Sequence, residues 1–117
     1  MLTDDQVIEQ CSLIKKMLEV SSYFNGVTVE CTTNDYDSSV FDFGGDYFIE
    51  VRYSNEGIPD YLPGYYKQYG GFGSEPPHME EVYFGNGNSR KCRSLHRACV
   101  RLVSRLYEDE LHIALED

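Results

Sequence analysis

The sequence predicts an α+β domain in which an antiparallel sheet of three to five strands is flanked by an N-terminal and a C-terminal helix. Apolar residues recur at helical spacing near both ends of the chain. The segments between them alternate apolar and polar residues and are separated by glycine- or asparagine-containing turns. The expected order is α-β-β-β-loop-β-α in a single domain over residues 1–117.

The first helix is expected over residues 3–22. Thr3 and Gln6 have the spacing of a capping box, in which each side chain accepts a backbone hydrogen bond from the other residue. Asp4 and Asp5 suit the positive end of the helix dipole. The apolar stripe that would face the sheet comprises Val7, Cys11, Ile14 and Leu18.

Strands follow the first helix. The pair Gly44-Gly45 predicts a tight hairpin between the second strand and the third. Because side chains alternate along a strand, Phe48, Glu50 and Arg52 are expected on one face of the third strand. The strands are expected over residues 27–32, 39–43, 47–53 and 79–84.

Residues 54–78 are rich in tyrosine, glycine and proline, and we interpret them as a long loop inserted between strands. Its tyrosines either pack the loop onto the sheet or face a partner. The sequence leaves these alternatives open.

The second helix is expected over residues 89–107, with Ser89 as its N-cap. On a helical wheel its arginines lie opposite the apolar stripe and form an exposed ridge. The arginines are Arg90, Arg93, Arg97, Arg101 and Arg105. Residues 111–115 are either a short final strand or a frayed helix end.

Charge is the strongest functional signal. The chain has 20 acidic and 10 basic residues, for a net charge of −10. Residues 89–106 contain six of the basic residues and no acid, so acidic groups dominate the remaining chain. An acidic surface repels nucleic acid and attracts basic partners, so we do not expect that surface to bind nucleic acid directly.

No apolar run approaches the roughly 18 residues that a membrane span needs, and the first residues show no signal segment. We therefore expect a cytoplasmic protein without membrane contact. Cys92, His96 and Cys99 have spacings that suit a metal site, but they also fit an apolar helix stripe, which we favour. We expect no enzymatic activity, no metal and no cofactor.

A small acidic domain rich in aspartate, glutamate and tyrosine resembles, in composition, the anti-CRISPR and anti-restriction inhibitors of phages and mobile elements. The resemblance implies a non-enzymatic inhibitor that occupies a basic groove of a larger protein or ribonucleoprotein complex, in the host cytoplasm if phage-encoded. Immunity proteins and antitoxins share this composition. The expected partner-binding residues are Asp35, Asp37, Asp42, Asp46, Glu50, Glu56, Asp60, Tyr61, Tyr65, Tyr66 and Tyr69.

A second resemblance concerns residues 85–91 and Ala98. They are similar to the last strand-to-helix junction of double-stranded-RNA-binding domains, whose basic residues at this helix start contact phosphates. This resemblance implies that the arginine ridge binds nucleic acid or another anion. A third interpretation is a homodimer in which the basic helix of one subunit contacts acidic groups of the other.

Overall fold

The computed structural model describes residues 2–21, 24, 26–34, 37–43 and 46–116, with side chains described to residue 108. A five-stranded antiparallel sheet, with its strands in chain order, follows one helix and precedes another. This confirms the α+β class. The elements are α1 (Asp4–Leu18), β1 (Val29–Thr33), β2 (Ser39–Phe43), β3 (Tyr47–Tyr53), β4 (Pro59–Tyr69), β5 (His78–Tyr83) and α2 (Leu95–Glu116), with a 3₁₀ turn at Gly87–Arg90.

Local sequence signals explain the first helix and the antiparallel pair of β2 and β3, whereas the expected Gly44-Gly45 turn between these strands lies outside the described residues. Thr3 Oγ1 accepts a 3.2 Å hydrogen bond from the Gln6 backbone, and Gln6 Oε1 accepts a 2.9 Å bond from the Thr3 backbone. The expected capping box is therefore confirmed. β2 and β3 begin and end at the expected residues, because their alternation of apolar and polar residues follows the pleat of the sheet.

The expectation of a loop over residues 54–78 is wrong in its central part, where β4 lies between β3 and β5. Pro59 is the first residue of the strand, a position that tolerates proline. The carbonyl of Pro63 accepts a bond from Phe84 N–H, so the Pro63 nitrogen also points to the β5 side, where β5 has already ended at Tyr83. Because proline has no N–H, it cannot return a bond to the Phe84 carbonyl, so this pair has a single backbone hydrogen bond and the β4–β5 ladder ends beside it.

The second helix begins at Leu95, not at residue 89 as expected. The Cys92 backbone pairs with Tyr61 of β4 through two hydrogen bonds of 2.7 and 2.8 Å, and this pairing holds the preceding residues out of the helix. Ser94, not Ser89, caps α2, since its Oγ accepts a bond from Arg97 N–H. The helix continues to Glu116, so of the two alternatives for residues 111–115, a final strand or a helix end, the structure has the helix.

The two helices pack on the same face of the sheet. Their apolar residues, such as Ile14 and Leu102, form one buried cluster with Phe41, Ile49 and Tyr61 of the strands. In the part of the chain that the structure describes, no helix has the length and apolar character to cross a membrane. We call the opposite side, which neither helix covers and which carries Phe48, the open face.

Candidate interaction surfaces

Strand register brings acidic side chains together on the open face. Glu30 of β1 lies directly opposite Asp42 of β2, and Glu81 of β5 lies opposite Tyr66 of β4. Among the described strand positions of this face, Arg52 is the only basic residue. The carboxylates that share the face are Glu30, Asp42, Glu50, Asp60 and Glu81.

Glu50 lies at the centre of this face but is only 1% exposed. Arg52 Nε donates to its Oε2, and the Tyr83 hydroxyl donates a 2.7 Å hydrogen bond to its Oε1. Arg52 Nη2 in turn donates a 2.9 Å bond to the Tyr83 hydroxyl. Glu50 therefore holds a structural network together, and the expectation that it contacts a partner is wrong because its oxygens are already engaged.

Burial and the neighbouring carboxylate raise the pKa of Tyr83 well above its usual value. Burial alone would lower the pKa of Arg52, but its bond to Glu50 outweighs that effect and the pKa is raised. Tyr83 is therefore a neutral donor and Arg52 a cation at physiological pH. Both states match the hydrogen bonds that the Glu50 carboxylate accepts.

Asp42 forms a second polar pair on the same face. The Tyr66 hydroxyl donates to Asp42 Oδ1, and Thr32 Oγ1 donates a 3.4 Å bond to Oδ2. Burial, followed by the bond to Asp42, raises the pKa of Tyr66. The rings of Tyr66 and Tyr83 lie 4.9 and 5.5 Å from that of Phe48, which is fully buried although no helix covers it.

The other acids expected at the partner surface are dispersed. Asp35 lies outside the described residues. Asp37 and Asp46 are exposed in turns, and Glu56 is exposed in the turn between β3 and β4. Asp60 is partly exposed, with its carboxylate 3.9 Å from the Lys91 ammonium. Of the expected acids that the structure describes, only Asp42 and Asp60 join the open face with accessible carboxylates.

The four expected tyrosines do not form one surface. Tyr61 is 9% exposed, and Tyr65, which is partly exposed, packs on Phe84 with ring centres 5.6 Å apart. Both lie on the helix-covered side, so neither belongs to the open face. Tyr66 lies on the open face, and Tyr69 is exposed near the tip of the β4–β5 hairpin. The strand alternation that separates Tyr65 from Tyr66 becomes visible only once β4 is recognised as a strand.

Sequence reasoning missed three residues of the open face. Glu30 and Glu81 are exposed beside Asp42 and Tyr66, and Tyr83 anchors Glu50. Because side chains alternate along a strand, the sequence could indicate the face of the sheet on which each of these residues lies. It could not reveal their neighbours, because strand register brings together residues far apart in the chain.

The basic residues do not form one ridge. Arg90 lies off the helix, and its guanidinium lies 5.4 Å from the centre of the Tyr83 ring. Arg105 lines a second hollow, which Arg101 also lines and which includes Glu108. The remaining expected arginines, Arg93, Arg97 and Arg101, line one groove of about 480 Å³ together with Lys91.

The cysteines are unactivated thiols. Burial raises the pKa of all four, and that of Cys99 rises to about 12, so at neutral pH the thiols are protonated. Cys92 precedes the helix and is buried in the same core cluster as Cys99, whereas His96 is exposed, so the three residues do not form one helix stripe. Within the described ranges, no group of three or more histidine, cysteine, aspartate or glutamate side chains is arranged to hold a metal ion.

Comparisons with protein-family models, with curated proteins and with solved structures find no match for this chain. The open face and the basic groove must therefore be interpreted from their own geometry.

Proposed function

We propose that the protein is a non-enzymatic binding protein whose open face occupies a basic, nucleic-acid-binding surface of a larger protein or ribonucleoprotein complex. On this proposal it is an inhibitor of the anti-CRISPR or anti-restriction type, whose carboxylates take the place of nucleic-acid phosphates. The net charge of −10 would speed encounter with such a partner through long-range attraction.

The observation that carries the proposal is the direct opposition of Glu30 and Asp42. Two like charges at opposed positions of neighbouring strands destabilise a sheet by about 0.2–1 kcal/mol. Among the described residues, no lysine or arginine nitrogen lies within 4.0 Å of either carboxylate. A cationic partner would supply the missing counter-charge and relieve this repulsion.

The spread of the acids also supports a protein groove as the partner. With strands about 4.8 Å apart, Glu30 on β1 and Glu81 on β5 lie four strand spacings, or about 19 Å, from each other. The acidic groups thus cover the width of an extended binding groove. Tyr66, between them, adds an aromatic ring of a type that is enriched at the centres of protein interfaces.

The basic surface of a bacterial toxin would satisfy the same chemistry, and an immunity protein or antitoxin is the alternative within this proposal. The proposed inhibitor and an antitoxin differ in the activity that each blocks. An inhibitor of a nucleic-acid-processing complex competes with the DNA or RNA of that complex, whereas an antitoxin neutralises one toxin encoded beside it.

The test is a competition assay against a panel of CRISPR effector complexes and restriction enzymes, each bound to labelled target DNA or RNA. The wild-type protein should displace the nucleic acid from at least one of them. Glu30→Gln, Asp42→Asn and Glu81→Gln combined should remove that displacement, because they neutralise the open face while conserving side-chain size.

The matched control combines Asp5→Asn, Glu9→Gln and Glu19→Gln, three exposed residues of α1 or its C-cap. It changes the net charge equally on another surface and should leave displacement intact. Full displacement by the open-face variant would refute the proposal. Equal loss in both variants would show that only the net charge matters, and would also refute it.

A further inference from the structure

The groove formed by Lys91, Arg93, Arg97 and Arg101 is a second surface, which the proposed function does not use. It has a volume of about 480 Å³ and is also lined by Cys92 and Val100. Pockets that hold small ligands commonly measure about 300–1,000 Å³, so this groove can accommodate a compact molecule.

Backbone structure fixes the positions of its cations. The two hydrogen bonds between Cys92 and Tyr61 hold the chain extended at this point, and Cys92 is 4% exposed. Because side chains alternate in extended backbone, Lys91 and Arg93 point away from the core. Arg97 and Arg101 lie one helical turn apart on the same face of α2, a separation of about 6 Å along the axis.

The positive charge in the groove is not neutralised within the described part of the protein. No described carboxylate lies within 4.0 Å of Arg93, Arg97 or Arg101, and the nearest acid to Lys91 is Asp60 at 3.9 Å. Arg101 Nη1 donates to the backbone carbonyl of Ser89, which orients its guanidinium at the edge of the groove. Like charges one turn apart destabilise a helix, so an anion here relieves a real repulsion.

We propose that this groove binds a compact ligand containing a pyrophosphate group, such as inorganic pyrophosphate or a nucleoside diphosphate. Guanidinium groups bind phosphate oxygens through paired, charge-assisted hydrogen bonds, and two arginines one turn apart suit two adjacent phosphate groups. Val100, 48% exposed beside the cations, offers an apolar contact to the remainder of a nucleotide.

The charge of the chain favours a compact ligand over a long nucleic acid. The whole protein carries −10, so a polynucleotide that extended beyond the groove would approach a strongly acidic surface. A pyrophosphate held inside the groove stays against the four cations.

The test is isothermal titration of the full-length protein with inorganic pyrophosphate, ADP, inorganic phosphate, sulfate and a short single-stranded RNA. Pyrophosphate or ADP should bind more tightly than phosphate or sulfate. Tighter binding of ADP than of pyrophosphate would identify a nucleotide, and the reverse order would identify pyrophosphate itself. Arg97→Gln with Arg101→Gln should weaken binding by about tenfold or more, because each loses charge-assisted bonds.

The control variant, Lys15→Gln with Lys16→Gln, removes the same charge from exposed positions of α1 and should bind as the wild type does. Thermal melting of both variants checks that each is folded. Equal affinities for sulfate and pyrophosphate, or pyrophosphate binding that is unchanged by the arginine substitutions, would overturn the proposal. Tighter binding of the RNA would assign the groove to a polynucleotide instead and would overturn it too.

Discussion

The hydroxyl of Tyr83 on β5 donates a 2.7 Å hydrogen bond to the carboxylate of Glu50 on β3, across the intervening strand β4. Beside this bond, Gly64 lies directly opposite both Phe48 and Tyr83 and has no side chain to separate their rings, whose centres are 5.5 Å apart. The buried carboxylate of Glu50 therefore accepts its hydrogen bonds from residues of the sheet itself, on a face that no helix covers.

Tyr83→Phe should lower the free energy of unfolding by about 1–3 kcal/mol, because a buried charged acceptor loses its donor while the ring is retained. Urea denaturation measures the change. Tyr107→Phe is the matched control, since Tyr107 is 62% exposed, and it should leave stability almost unchanged. Equal effects of the two substitutions would contradict a structural role for the Tyr83 hydroxyl.

The stability of the protein should fall at alkaline pH. The pKa values of Tyr66 and Tyr83 are raised in the folded state above the ordinary value of 10.0, so folding favours their protonated forms. Their contribution is complete below about pH 10 and is lost as pH rises further toward the folded-state pKa values.

Phenolate absorbance and urea unfolding, both followed as functions of pH, check this expectation. In the native protein Tyr66 and Tyr83 should ionise later than the exposed tyrosines. Replacing both by phenylalanine should remove two late-ionising groups and make stability less dependent on pH above about pH 10. Ionisation of all tyrosines in a single step near the ordinary pKa would show that these hydroxyls are not held by the carboxylates.

Gly64→Ala should destabilise the protein by about 1–3 kcal/mol, because the space around the buried Phe48 ring on the open face would be overpacked. A Cβ atom at this position would lie 2.7 Å from Phe48 Cζ and would also meet the carbonyl oxygen of Val82. Thermal and urea unfolding measure the effect. Gly57→Asn, in an exposed turn with free space around it, is the control and should cost much less.

Glu30→Gln should raise the free energy of unfolding by about 0.2–1 kcal/mol at low salt, since it removes one of two opposed carboxylates. The gain should shrink at high salt, where the repulsion is screened. Glu9→Gln, at an exposed helix position, supplies the comparison. A loss of stability on Glu30→Gln would show that the Glu30–Asp42 pair is compensated within the protein.

Elements whose signals are local could be predicted from the sequence. The capping box of Thr3 and Gln6 and the β2–β3 hairpin depend on residues within a few positions of each other. Strand β4 could not be recognised in this way, because Pro63 and Gly64 usually interrupt strands. They are tolerated here only because β5 ends beside Pro63 and Phe48 fills the space over Gly64.

For the candidate site, too, some properties follow from the sequence and others only from the tertiary structure. Composition and residue order alone determined that the chain is strongly acidic with one concentrated basic segment, because charges along the chain do not depend on the fold. Tertiary structure decided which charged side chains are accessible to a partner. Glu50 is buried by Arg52 and by Tyr83, the latter 33 residues away, whereas Glu30 and Asp42 meet only through strand register. Cys92 likewise leaves the basic helix because a backbone pairing with Tyr61, distant in the chain, is available to it.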